Sequence, residues 1–472
     1  MKEDGLTIVV FGATGDLAQR KIIPALMDLF ERNLLPTDFN VVGFSRKDMS
    51  HDDYREFAEH TLEKKGHNHT VERVDEFLKH IHYKRGDLNE KNSYTELEGY
   101  LDKLEPSGAC FNKIFYLAAP PNLYKVVFEN LHASNITIPC VSDGEKWRRI
   151  LVEKPFGSNP DEAKNLDKTL GALFTESQIF RINHYLAKET IQNILTFRFA
   201  NAIFEPLWSK ENIEYIKISL HETEDTSNRA SYYDEIGALR DVGQNHLLQM
   251  LALVLMEDPM GTSAEAIRSA RLKALSNIIL PGRDLSKFAL RAQYDGYQGF
   301  NGSTKSKTET FFRLILNSKD KRWSGVPLYL ESGKALKDDS TEIEISFRDR
   351  ESFVCIDTDK CNYNNTLRIN IKPREDITLE FFSKKPGLTL ELQKQKLSFK
   401  YGEENDILPD AYEKVLYDCI RGDQTLFTST EEVATEWRVI SEVLKKWKNL
   451  PLLTYEKGSD PEDIIYKQDI NK

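Results

Sequence analysis

RINHYLAKET, residues 181–190, gathers Arg181, His184, Tyr185, Lys188 and Glu189 into nine positions, with the uncharged amide Asn183 among them. A guanidinium, an imidazole, a phenol and an ammonium this close together form a set of fixed donors. Such a set suits a multiply charged anion and needs no metal. Other stretches carry chemistry of their own. In VVFGATGDLAQRK (9–21), Gly12 and Gly15 permit a tight turn and close backbone approach to a pyrophosphate, and the helix N-terminus behind them favours that anion. The spelling G-x-x-G-D-L departs from G-x-G-x-x-G, so an ordinary strand-to-helix turn stays open as the alternative. GFSRKD (43–48) places Ser45, Arg46 and Lys47 where an NAD site puts an acid. A hydroxyl, a guanidinium and an ammonium suit a 2′-phosphate, which points to NADP, with NAD or a solvated surface pair as alternatives. VEKPFG (152–157) sets Lys154 at the end of a strand, and RDVGQNHLLQML (240–251) sets Asp241, Asn245 and His246 on an otherwise apolar helix. His246 has the near-neutral chemistry of a general base, and a satisfied core histidine is the bland alternative.

These residues need elements to hold them. LTIVVFG (6–12), FNVVGFS (39–45), KIFYLAA (113–119) and RRILVEKP (148–155) read as four buried strands of parallel type. Helical patterns separate them, at Leu17 to Asn33 with Pro24 making an irregularity, at 51–80, after Pro120, and over DEAKNLDKTLGALF. Such alternation predicts a doubly wound parallel sheet, a Rossmann-like fold whose ligands sit at the carboxyl ends of the strands, Lys154 among them. After residue 180 the pattern changes. A helix over 186–204, a strand at IEYIKISLHET and a helix over 237–257 lead into period-two runs between 285 and 400, which suit a mostly antiparallel sheet; helices return at 409–420 and 430–448. The reading is therefore α/β followed by α+β, divided into an NADP-binding domain over 1–180 and a substrate-binding and dimerisation domain over 181–472.

Composition narrows the class. The 472 residues carry a formal net charge of −11, which argues against a nucleic-acid partner; an acidic chain that binds anions must cluster its cations. No signal-peptide pattern opens the chain and no apolar run reaches membrane-spanning length. Five cysteines without a CxxC read as reduced thiols in a cytoplasmic protein. The pairs His67/His69 and His80/His82 have a loose metal-like spacing but no supporting ligands, and read as surface residues, so no metal is expected.

Eight blocks in order, GATGDLAQRKIIPAL, FYLAAPPNLY, VEKPFG, RINHYLAKE, RDVGQNHLLQML, GVPLYLESGKAL, KKPG and LPDAYEKVLYD, resemble the glucose-6-phosphate dehydrogenase family across about residues 6 to 460. The resemblance implies oxidation of the C1 hydroxyl of glucose 6-phosphate to a lactone, the first oxidative step of the pentose phosphate pathway, with hydride passing to NADP. It implies His246 as the general base, His184, Tyr185 and Lys188 as donors to the substrate phosphate, and Glu222 and Asp241 as partners of sugar hydroxyls. Lys154 and Lys334 become sugar contacts, Lys154 also lying near the cofactor. Gly12, Thr14, Gly15, Asp16, Leu17, Ser45, Arg46 and Lys47 fall in the cofactor region. It also implies a homodimer formed through the large sheet.

The chain departs from that pattern. Asn183 stands where the family ordinarily has an aspartate paired with the catalytic histidine. In serine hydrolases the analogous loss costs about 10⁴ in kcat, so a reduced rate is expected, unless Glu222 or Asp241 supports His246 instead. Asp339 stands where the family often has a basic residue near the phosphate, Lys337 being a substitute, and Lys372 where it often has glutamine near the sugar. The loop DTSNRASYY (225–233) is more polar than usual. Two alternatives follow: a dehydrogenase of another phosphorylated aldose, or a weak or inactive paralogue that binds sugar phosphate and NADP and regulates an active enzyme.

Overall fold

The computed structural model describes residues 5–65, 69–106, 109–139, 146–227, 230–299, 302–303, 305–349, 363–402 and 408–470. The chain forms two compact units, Met1–Ala187 with Pro409–Thr430, and Lys188–Leu408 with Glu431–Lys472. The sequence pattern suggests a single cut at 180. The first unit instead runs on through the decapeptide to Ala187 and takes back a segment from near the C-terminus.

In the first unit, strands β1 (Leu6–Phe11), β2 (Phe39–Ser45), β3 (Ile81–Arg85), β4 (Asn112–Leu117), β5 (Arg148–Val152) and β6 (Ile179–Ile182) form a parallel sheet in the order β3-β2-β1-β4-β5-β6. This is the doubly wound order, with the strand order reversing between β1 and β4. A short strand of the returning segment, β16 (Phe427–Thr428), adds to β6 antiparallel. β1 and β4 are buried along their whole length, as their apolar runs require when helices cover both faces. Two strands carry little sequence signal. β3, IHYKR, is an edge strand whose alternate residues reach solvent, so no apolar run marks it. β6, IFRI, hides Arg181 in an otherwise apolar strand. The stretch 51–80 is two helices, His51–Lys65 and Val71–Leu78, and the irregularity at Pro24 is a π-helical turn, Ala18–Ile22, ahead of the helix Ile23–Glu31.

The expected surface histidines are structural. His80 lies against the ring of Phe39 with centroids 4.0 Å apart, His69 meets Asp28 at 3.0 Å, and burial lowers the His82 pKa to about 4. His67 lies outside the described residues. Cys419 is a buried free thiol, whereas Cys110 is disulfide-bonded, which corrects the expectation of reduced thiols throughout.

The second unit is built on a ten-stranded sheet. Its strands are β7 (Ile213–His221), β8 (Ile278–Ile279), β9 (Ala289–Tyr294), β10 (Phe311–Ser318), β11 (Leu328–Gly333), β12 (Ser340–Phe347), β13 (Thr366–Lys372), β14 (Asp376–Lys384), β15 (Leu392–Lys400) and β17 (Leu452–Tyr455). They run in the order β15-β14-β13-β12-β7-β11-β10-β9-β17, with β8 beside β10. Most pairs are antiparallel as expected, but β7 with β11 and β9 with β17 are parallel. β11 escapes the pattern because polar residues interrupt it. Glu331 is fully buried there: burial pushes its carboxyl up, yet His221 at 2.9 Å, Lys217 and Arg313 hold it below the usual range. Among the described residues no helix is long and apolar enough to cross a membrane.

Candidate active site

At the carboxyl end of β1 the chain turns through Gly12, whose φ is +84°; a Cβ there would meet the Ala118 carbonyl oxygen at 2.4 Å, so only glycine fits. The Gly12 N–H donates to Phe44 O (2.9 Å), which ties this turn to β2. Beside it the hydroxyls of Thr14 and Ser45 meet at 3.2 Å, and Ser45 also meets Tyr83 Oη at 2.9 Å. Ser45 is thus engaged and buried, whereas Arg46 and Lys47 are exposed. Asp16 pairs with Arg20 at 2.7 Å, and Leu17 leads into the π-helical turn. Backbone N–H groups at a strand end, a hydroxyl and two exposed cations at the switch point fit a dinucleotide with an extra phosphate.

Lys154 follows β5. Its neighbour Glu153 is buried, accepts from Tyr116 Oη (2.7 Å), and has its pKa pushed up to about 7 by burial, against the lowering effect of the Tyr116 and Tyr412 hydroxyls. Tyr124 Oη donates to the Glu153 carbonyl at 3.1 Å, so three phenols fix this strand end.

The decapeptide divides into two kinds of residue. Arg181 is buried and bound to Asp167 (2.5 Å), Glu176 (3.0 Å) and the Thr430 hydroxyl (2.7 Å). It braces β6 against the returning segment and is not one of the anion donors. Asn183 is buried, and its Oδ1 accepts the Tyr185 N–H at 3.3 Å, an Asx turn that ends the strand. His184 and Tyr185 are half-buried; the His184 ring lies 4.8 Å from that of Tyr185 and 6.0 Å from that of Tyr412. Sequence reasoning misses Tyr412 and Lys21, the latter meeting Asp410 at 2.8 Å; the only signal for them is that they belong to the blocks LPDAYEKVLYD and GATGDLAQRKIIPAL.

In the second unit Lys188 precedes the helix Glu189–Phe199 and lies 3.4 Å from Glu375. Lys334 is buried at the end of β11 and contacts Glu222 and, at 3.5 Å, Asp241. These three expected sugar partners are therefore together, with one ammonium shared by two carboxylates. Lys337 is exposed, three residues further on. Asp241 and His246 sit on a π-helical segment, Leu239–Leu247, continued by the helix Leu248–Leu255. The wider turn displaces backbone acceptors, and Asn245 Nδ2 donates to Asp241 O at 3.1 Å, so Asn245 is a structural residue. Glu436, buried in the helix Thr430–Trp447, accepts from the side-chain amides of Gln244 (3.1 Å) and Gln249 (2.5 Å), one on each side of His246 in the chain. Burial holds the Glu436 carboxyl well above the usual range.

A doubly wound nucleotide unit joined to a large-sheet unit with a histidine, paired acids and a buried lysine fits a nucleotide-linked oxidoreductase. Residues 9–193 match the family described as glucose-6-phosphate dehydrogenase, NAD binding domain, and residues 195–467 match glucose-6-phosphate dehydrogenase, C-terminal domain. The chain belongs to the glucose-6-phosphate dehydrogenase family. It is 35% identical to the glucose-6-phosphate 1-dehydrogenase of Borreliella burgdorferi, covering 98% of this chain and 97% of that one. It is 38% identical to that of Treponema pallidum, covering 96% and 91%. A solved structure titled glucose-6-phosphate dehydrogenase in complex with its substrate glucose-6-phosphate superimposes with a TM-score of 0.89 at 32% identity, over 99% of this chain and 98% of that one.

Proposed function

We propose that this chain oxidises glucose 6-phosphate at C1 to the lactone with NADP, and that the uncharged Asn183 slows it. The family membership carries the activity, and the residues present carry the roles. The cofactor, when bound, accepts the hydride leaving C1. His246 takes the C1 hydroxyl proton. Lys334, which shares its charge between Glu222 and Asp241, orients the sugar hydroxyls together with those carboxylates. His184, Tyr185 and Lys188 hold the phosphate, and Lys154 serves both sugar and cofactor. Gly12, Thr14, Gly15, Asp16, Leu17, Ser45, Arg46 and Lys47 seat the dinucleotide. Lys334 already draws on the charge of Glu222 and Asp241, which weakens what either carboxylate could lend to His246; this favours a lowered rate over rescue by another acid. The same observation leaves a weak or regulatory paralogue as the second reading.

NADPH production from glucose 6-phosphate across pH, for this chain and for Asn183→Asp, tests this. The substitution is expected to raise kcat by about two or more orders of magnitude. Equal rates would mean that another group supports His246. Binding of both ligands without turnover in either variant would select the regulator. A cytoplasmic homodimer completes the proposal; the exposed Leu397 and Phe399 on the edge strand β15 support pairing through the large sheet.

A further inference from the structure

The second unit holds a cavity of about 380 Å³ walled by the helix Ala230–Ala238, by β9, by the stretch before β10 and by the end of the helix Thr430–Trp447. Four cations line it: Arg240, Arg291, Lys307 and Lys448. None of the four forms an ion pair among the described residues, although the chain carries a net charge of −11. Lys307 and Lys448 are exposed, and two lysines alone would be an ordinary solvated surface. The arginines are different. Arg291 is 7% exposed; its Nε and Nη2 donate to Leu450 O at 3.2 and 2.8 Å, while its Nη1 makes no hydrogen bond among the described residues. Burial disfavours its charge, and Glu309 offsets only part of that cost. Arg240 is half-buried and spends one nitrogen, Nη1, on Ile236 O at 3.0 Å. Asp241, the next residue, pairs instead with Lys334, so these neighbouring charges serve different places.

We propose that this cavity is a binding site for a multiply charged phosphorylated anion, separate from the sugar and dinucleotide sites. Two carboxylates also line it, but both are already engaged. Asp234 accepts from the Tyr297 hydroxyl (3.0 Å) and from the Ser306 hydroxyl. Glu309 accepts from Trp447 Nε1 and from the Leu239 N–H, each at 3.2 Å. The four cations outnumber these two acids, which leaves an excess that suits a phosphate dianion or a larger anion. A guanidinium cannot shed its proton, so a buried one without a carboxylate partner gains most from a bound anion. Leu444 and Ile236 keep part of the wall apolar, which strengthens charge pairing there. The volume lies in the range of small-molecule sites.

Calorimetry with inorganic pyrophosphate tests this on the full chain saturated with NADPH and glucose 6-phosphate, a pair that fills the sites described above and cannot turn over. Lys307→Glu, Lys448→Glu and Arg291→Gln remove lining charges. Lys445→Glu reverses an exposed charge outside the cavity, on the same helix that ends at Trp447, and controls for long-range effects. One pyrophosphate per chain is expected, with a Kd below about 1 mM. Each lining variant is expected to raise that Kd about tenfold, and Lys445→Glu to change it by less than about twofold. Arg291 also braces Leu450, so the two lysine variants decide the matter if Arg291→Gln does not fold. No binding to the saturated chain, or equal losses in the lining variants and the control, would overturn the proposal. If glucose 6-phosphate itself fails to bind, the functional reading above fails, and the lysine variants still decide whether pyrophosphate sits in this cavity.

Discussion

Glu153 shows how the residues beside the chemistry constrain the protein. Its carboxyl is buried among Tyr116 and Tyr412 and titrates at about 7, against an ordinary value near 4.5. The unfolded chain releases this proton from about pH 4.5 upward while the folded chain keeps it to about 7. Stability therefore falls as pH rises through that window and stays lower above it. Glu153→Gln is expected to stabilise the protein by roughly 2–3 kcal/mol at pH 8 and to change it little at pH 4, read from denaturant midpoints at the two values. A variant no more stable than the parent at pH 8 would show that the carboxyl ionises freely in the fold. At this scale the sequence offers His246, Lys154 and the decapeptide as candidates by residue type, each beside a blander reading, whereas Lys334 enters only through the family resemblance. What sequence could not show is which polar residues are already occupied. Arg181 reads as an anion donor beside His184 until Asp167 and Glu176, earlier in the chain, are seen to hold it.

Among the elements, the π-helical segment Leu239–Leu247 matters most. It begins after Gly237, whose φ of +72° interrupts the preceding helix, and the buried Glu309 accepts the Leu239 N–H at 3.2 Å. A Cβ at position 237 would approach Glu309 Oε1 to 2.5 Å. Gly237→Ala is expected to cost about 1–3 kcal/mol and to lower kcat, because the strain falls at the start of the segment that carries Asp241 and His246. Unfolding curves and NADPH production read the two effects, and an unaltered variant on both counts would show that Glu309 yields without moving the segment. The periodicity of RDVGQNHLLQML announced a helix there, but not its register. The apolar residues alone do not tell a π turn from an α turn, and the carboxylates that bind this segment, Glu309 at the Leu239 N–H and Glu436 at Gln244 and Gln249, come from distant sequence. β3 and β11 escaped for a related reason. Strand signals rest on apolar runs, and an edge strand or a strand with a buried, paired Glu331 has none.

For the whole molecule, the order of fold classes was readable because a parallel sheet demands apolar runs separated by helices, whereas a sheet covered on one face demands alternation. The exposed edge of the large sheet bears on assembly. Light scattering at micromolar concentration is expected to give about twice the chain mass; a monomer would leave Leu397 and Phe399 of β15 facing water. The sequence pattern marks one boundary at 180 because nothing in the spelling of LPDAYEKVLYD tells a strand-rich neighbourhood from a nucleotide-binding one.

The return of Pro409–Thr430 to the first unit, where β16 pairs with β6, has a consequence for how the protein is made. A ribosome adds residues in order at about 5–20 per second, so the stretch that ends at Ala187 waits roughly 10–45 s for the segment that completes it. During that interval the Ile182 edge of the nascent sheet has no partner strand and Arg181 lacks the Thr430 hydroxyl. The nucleotide unit is thus begun before the large-sheet unit and completed only when the returning segment is made, so its β6 edge stays open to pairing with other chains through that interval.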